Sequence, residues 1–219
     1  MNKLNIILVF STILFLSCSS GSVYSELFNN LGILFKPPSD IPQEDVNSVK
    51  YSTMQVRIGR SPNTLIVLEE VQDDILKWTS SNFVKIYTKE GMIVKVSGLE
   101  NELEIKDIDK RHPILTKKYP EKGVINLTNF YTFSNPDLHL LPVKTSFRFD
   151  KIEKIKILGE EVLTKVYFEE ARDNLISWKF NNKYWINLDG DIVKSIESFT
   201  PKNQFAHMLV TKKYRKPEN

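Results

Sequence analysis

One cysteine among 219 residues, Cys18, stands where covalent chemistry happens. Lys3 precedes an apolar run from Ile6 to Leu16, and Ser17 then precedes the thiol. The run fits the roughly 7–15 residues of a signal-peptide core and falls short of the roughly 20 that span a bilayer. Phe15-Leu16-Ser17-Cys18 matches a bacterial lipobox, in which the cysteine is diacylated and becomes the first residue of the mature chain, although leucine is commoner where Phe15 stands. Ser19 fits the pattern for sorting to the outer membrane. A lone cysteine cannot close an internal disulfide, and lipid attachment gives it a role in an exported chain. Two or three acyl chains anchor stably where one does not. The competing reading is a plain signal peptide with an incidental cysteine.

The rest of the chain presents little reactive chemistry. His112, His139 and His207 are isolated, flanked by apolar residues or proline, and not set at metal-ligand spacing. No serine stands in a G-x-S-x-G elbow, and no P-loop or G-x-G-x-x-G run is present. The sequence therefore names no catalytic residue, no metal site and no cofactor. Glu69-Glu70 and Glu169-Glu170 place neighbours on opposite faces of a strand, so neither is an acid/base pair by itself, and both read as strand-end charges. A carboxylate pair assembled from distant strands, as in a glycosidase, stays open. Trp78, Tyr184 and Trp185 are the candidates for contact with a glycan or a partner, because an indole face suits the apolar face of a pyranose. The plainer reading makes at least two of the three tryptophans, Trp178 included, core residues. Lys212-Lys213-Tyr214-Arg215-Lys216 is either a solvated basic tail or a contact for anionic glycan or lipid headgroups. The net charge of +3 is too small to argue for nucleic acid.

The elements that must carry these residues are strands. With 41% hydrophobic residues the chain can bury a core. Residues 1–17 form the signal peptide and 18–48 a lipidated tether; within it Leu27, Leu31 and Leu34 recur at helical spacing over 24–35, before Pro37-Pro38. That helix would meet a membrane surface or partner, or pack on its own domain. From Val49 the period becomes two, and turn signals such as Glu90-Gly91 and Asp189-Gly190 punctuate the strands to the end of the chain. The connecting stretch Leu99 to Lys110 reads as a helical turn. Met54–Trp78 returns as Lys154–Trp178 with six identities in 25 positions, and Glu90–Lys95 returns as Asp189–Lys194 with four in six. The expectation is an all-β antiparallel meander of roughly a dozen strands over 49–219, barrel-like or a sandwich. It is built from two similar units, about 49–98 and 148–214, with a connector at about 99–147 and a short N-terminal helix after the lipid anchor.

The signal and lipobox, Gly59-Arg60-Ser61-Pro62, Leu65–Leu68, Trp78, Thr88-Lys89-Glu90-Gly91, Val96-Ser97-Gly98-Leu99, Gly159-Glu160-Glu161-Val162, Tyr184-Trp185-Ile186-Asn187 with Gly190, Ser195, and Thr200-Pro201 follow in that order. Together they resemble the YjbF/YmcC (GfcB) family of outer-membrane lipoproteins found with capsule and exopolysaccharide export genes. The chain departs at Glu90-Gly91-Met92-Ile93, where the family usually has Asn-Gly-Arg, and at Ser195-Ile196-Glu197, where it favours a glutamine two places after the serine. The resemblance implies a β-rich domain anchored to the outer membrane through acylated Cys18 and facing the periplasm. It implies an accessory part in capsule or exopolysaccharide assembly and export, with export proteins or surface glycan as partners and no catalytic residue to transfer. A glycan-binding module or a glycan-modifying enzyme is the alternative within the same pathway.

Overall fold

The computed structural model describes residues 41–202 and 204–215. Cys18 and the helix expected over 24–35 lie outside them. Twelve strands form a closed antiparallel ring: β1 (Thr53–Ile58), β2 (Thr64–Gln72), β3 (Ile75–Thr79), β4 (Lys85–Lys89), β5 (Met92–Ser97), β6 (Leu103–Asp107), β7 (Val124–Phe133), β8 (Leu138–Ile157), β9 (Glu160–Arg172), β10 (Lys179–Ile186), β11 (Ile192–Ser198) and β12 (Phe205–Lys212). Each strand pairs with its sequence neighbours, and β1 closes the ring on β12, with Val56 opposite Met208. Among the described residues two short helices accompany the ring. α1 (Gln43–Ser48) falls within the stretch read as tether, with its Val46 fully buried. α2 (Pro113–Thr116) follows His112. The stretch expected as a helical turn at Leu99–Lys110 instead contains β6. Its alternating Leu103 and Ile105 find an open edge on β7, which outweighs local propensity. No helix among the described residues is long and apolar enough to cross a membrane.

Alternation along the strands decides which way each side chain points. On the outside, Lys77 meets Glu69 at 3.1 Å, Lys95 meets Glu104 at 3.6 Å and Arg148 meets Glu170 at 3.3 Å. Inside lie two apolar clusters. The larger gathers Met54, Trp78, Tyr131, Phe133, Trp178, Phe180 and Phe199. The smaller gathers Met92, Val94, Ile114, Phe147, Tyr167, Tyr184, Ile186 and Ile192. Burying large aromatic side chains of this kind supplies most of the favourable free energy of such a fold, at roughly 25 cal/mol per Å² of apolar surface.

The ring is pinched. β5 and β11 are not neighbours in it, yet Ile93 N donates across the interior to Glu197 Oε2 at 3.0 Å. Gly91, at the β4–β5 turn, sits so close to Ile192 that a Cβ there would come within 2.8 Å of the Ile192 Cβ. Its φ of +87° also disfavours any L side chain. Gly91→Ala is expected to cost about 2–4 kcal/mol. Gly123→Ala, with φ +82° and nothing within 4 Å, should cost only about 1 kcal/mol. Denaturant unfolding of the two variants checks this, and equal losses would mean that the pinch exerts no steric constraint.

The topology treats the two sequence repeats differently. Glu90–Lys95 and Asp189–Lys194 belong to hairpins β4–β5 and β10–β11, six strands apart, and both turn at the same end of the ring. The longer match relates β1–β2 to β8–β9, seven strands apart in an alternating ring, so those hairpins turn at opposite ends. β8 and β9 also outrun their neighbours. β7 pairs with β8 as far as Arg148 and β10 with β9 as far as Lys165. Beyond those points, Glu153–Ile157 and Glu160–Thr164 pair only with each other, as a two-stranded arm about 17 Å long.

Candidate functional site

Between the two apolar clusters runs a belt of polar side chains at one level of the wall. Asn129 on β7, Thr145 on β8, Glu169 on β9, Asn182 on β10 and Glu197 on β11 are all buried. Each occupies the middle of an inward-facing triplet: Leu127 and Tyr131 flank Asn129, Val143 and Phe147 flank Thr145, Tyr167 and Ala171 flank Glu169, Phe180 and Tyr184 flank Asn182, and Ser195 and Phe199 flank Glu197. Glu169 is the hub. It accepts from Asn182 Nδ2 at 3.0 Å and from the Tyr184 hydroxyl at 3.1 Å, and His112 Nε2 lies 3.3 Å from its other oxygen. His112 Nδ1 accepts from Ile114 N, which assigns the ring proton to Nε2 and makes the imidazole a donor to the carboxylate. Burial alone would raise the Glu169 carboxyl. The hydrogen bonds from His112 and then Asn182 outweigh it and hold the group below the ordinary carboxylate range.

Glu197 has the opposite environment. It accepts from Ile93 N at 3.0 Å and lies 3.4 Å from the Tyr184 hydroxyl, whose single proton serves the nearer Glu169. Its Oε1 has no hydrogen-bond partner. Burial pushes its carboxyl up to about 8, so it is protonated at neutral pH. Two carboxylates bridged by a tyrosine have the composition of an acid/base pair. They are sealed, though: Glu169 is 1% exposed and Glu197 2%. Glu169 is thus not the strand-end charge expected from Glu169-Glu170. Its neighbour Glu170 is, and pairs on the outside with Arg148.

Among the described residues, one end of the ring is left open. The β2–β3, β4–β5 and β10–β11 turns lie there, with the chain's entry into β1 and its exit from β12. The β5–β11 pinch divides this end into two lobes. One is filled by the smaller cluster, capped by Ile114, Leu115 and Tyr119 from α2 and its following loop. The other is a cavity of about 1120 Å³ between β1–β12–β11 and β3–β4–β5. Met54, Leu76, Trp78, Ile192, Met208 and Val210 line it, Ser195 and Thr88 contribute hydroxyls, and charges ring the entrance. Lys117 there pairs with Glu90 at 3.1 Å and Asp191 at 3.3 Å, while Lys213 also pairs with Asp191.

The structure separates the candidate aromatics. Trp78 lies in the cavity wall, its indole N–H donating to Thr88 Oγ1 at 2.9 Å. Tyr184 belongs to the sealed belt. Trp185, next to it on β10, points the other way, to the outside, where Lys183 and Lys194 cover its ring at 4.5 and 4.7 Å and Glu153 accepts its N–H at 3.0 Å. No single aromatic platform forms from the three. Trp178 packs on Phe180 at 4.1 Å in the core. Among the described residues no group of three or more His, Cys, Asp or Glu is placed to hold a metal ion.

A closed barrel that is apolar inside and charged outside inverts the pattern of a transmembrane barrel. The chain belongs to the family described as group 4 capsule polysaccharide lipoprotein GfcB, YjbF, whose profile matches residues 21–210. It is 22% identical over 191 residues to the uncharacterized lipoprotein YjbF of Escherichia coli (strain K12), covering 86% of this chain and 88% of that one. It is 21% identical over 163 residues to the uncharacterized lipoprotein GfcB of the same organism, covering 74% and 73%. The crystal structure of the hypothetical lipoprotein YmcC from E. coli (K12) shares the fold, with a TM-score of 0.69 and 18% identity over 91% of this chain and 98% of that one.

Proposed function

We propose that this protein is a lipid-anchored, periplasm-facing accessory factor in capsule or exopolysaccharide export, acting by binding and scaffolding. Cys18 carries the lipid and holds the barrel at the outer membrane. The observation that carries the binding role is the β8–β9 arm. A closed ring has no free strand edge, but this arm has two, and main-chain groups along an unpaired edge are the means by which extended segments of a partner add to a sheet. Leu163 is exposed on it and Ile152 at its base. An export protein is the partner that such an edge suits. A catalytic reading has less support, since the Glu169–Glu197 pair lies beneath fully packed walls that leave a glycan no path to it.

The test compares wild type, Cys18→Ala and a variant in which residues 155–162 are replaced by an Asn-Gly turn, with surface polysaccharide and membrane fractionation measured in each. Cys18→Ala should leave the membrane fraction, the arm variant should stay in it with an unchanged melting temperature, and both should lose surface polysaccharide about tenfold or more. Normal polysaccharide in both would exclude anchoring and the arm from the function.

A further inference from the structure

We propose that the open lobe of the barrel binds a saccharide residue of the exported glycan, with its hydroxyl edge on Ser195 and its apolar face along Trp78 and the methionines. The cavity floor sets the chemistry. Ser195 is 1% exposed, and its Oγ lines the cavity without a hydrogen-bond partner. An unpaired buried hydroxyl costs about 1–3 kcal/mol, a cost that a ligand hydroxyl at Ser195 removes. Glu197, beneath the floor and protonated, carries no charge to repel a neutral ligand.

The walls add the second requirement. Met54, Met208 and Leu76 with the Trp78 ring give apolar contact that adapts to an irregular shape. A ligand that combines apolar ring faces with hydroxyl edges satisfies both wall and floor. An acyl chain would satisfy the walls alone and leave the Ser195 hydroxyl unpaired in a dry environment, so the observations favour the saccharide. The volume of about 1120 Å³ accommodates more than one sugar ring. At the entrance, Lys117, Lys213, Glu90 and Asp191 satisfy one another, leaving no net charge there that would select an anion.

The choice of a saccharide rests on the reading of the chain as a polysaccharide-export protein; the cavity and its floor do not. The test uses the full-length lipidated chain in phospholipid vesicles. Calorimetric titration is performed with oligosaccharides released from the producing cell's surface polysaccharide and, separately, with palmitate. Wild type is expected to bind the oligosaccharide. Ser195→Ala should weaken binding three- to tenfold, as the loss of one neutral hydrogen bond does. Leu76→Trp, which fills the cavity, should abolish it. Melting curves show that both variants are folded, and Ser195→Ala alone keeps the test valid if Leu76→Trp is not. Undiminished binding in both variants, binding of palmitate without oligosaccharide, or binding of neither would overturn the proposal. Export intact with oligosaccharide binding lost removes the cavity from the function, whereas binding intact with export unaffected by Cys18→Ala and arm removal overturns the function and leaves the cavity.

Discussion

Glu197→Gln should make the fold more stable at alkaline pH and flatten its stability profile. In the unfolded chain this carboxyl ionises near its ordinary value of 4.5, while in the folded barrel it keeps its proton up to about 8. Between those values the folded state binds more protons than the unfolded one, so stability falls as pH rises through this window and is fully present only below it. The loss has a ceiling of about 5 kcal/mol. Glutamine keeps an acceptor for Ile93 N and cannot ionise, so the slope disappears. It is also the residue that the family resemblance leads one to expect two places after Ser195. Denaturant unfolding at pH 5.5 and 8.5 decides the matter. Wild type should lose at least about 2 kcal/mol between the two and the variant much less. Parallel losses would mean that Glu197 is ionised in the fold or reached by water. Glu169 does not confuse the result: its carboxyl is lowered, so its contribution fades only as pH falls below the ordinary carboxylate range.

Glu169→Ala should cost about 3–5 kcal/mol and lower the melting temperature by roughly 10 °C. Removing the hub leaves the His112 imidazole, the Asn182 amide and the Tyr184 hydroxyl without their shared acceptor, all fully enclosed. Glutamine at this position would preserve shape but present an amide N–H₂ to a donor, so an intermediate loss is expected. The neighbouring Glu170→Ala removes only an exposed pair with Arg148 and should cost less than about 0.5 kcal/mol. Adjacent glutamates would thus differ several-fold in effect. Similar small losses at both would show that the belt is not a stabilising network.

How far these features were readable from the sequence varies from residue to residue. The all-β class followed from two-residue alternation and from turns such as Glu90-Gly91 and Asp189-Gly190, which are local signals. Closure was not local: Val56 meets Met208 across most of the chain, and nothing in either strand alone says so. Glu169 was misread because an identical dipeptide, Glu69-Glu70, ends β2 in solvent. The apolar-x-polar-x-apolar signal does not separate them, since Val67 and Val71 flank Glu69 just as Tyr167 and Ala171 flank Glu169. What separates them is that four adjacent strands, β7 to β10, bring such a triplet to one level beside Glu197 on β11, and that requires the register. His112 carried a nearer hint. It precedes Pro113 at a helix start, a place where a side-chain acceptor caps a backbone N–H. Its far side, facing Glu169, depended on tertiary structure.

The closing of β1 on β12 also sets the order of events as the chain is made and exported. The first strand to emerge has one of its two partners only after nearly all of the remaining chain has followed, and contacts that distant in sequence slow folding to the millisecond-to-second range. During that interval β1 and each newly arrived strand expose unpaired edges of the kind that the finished ring abolishes. A chain with this topology is therefore most vulnerable to aggregation and proteolysis during its own delivery. Its last eight-residue strand, Phe205–Lys212, acts as the completion signal that ends the vulnerability.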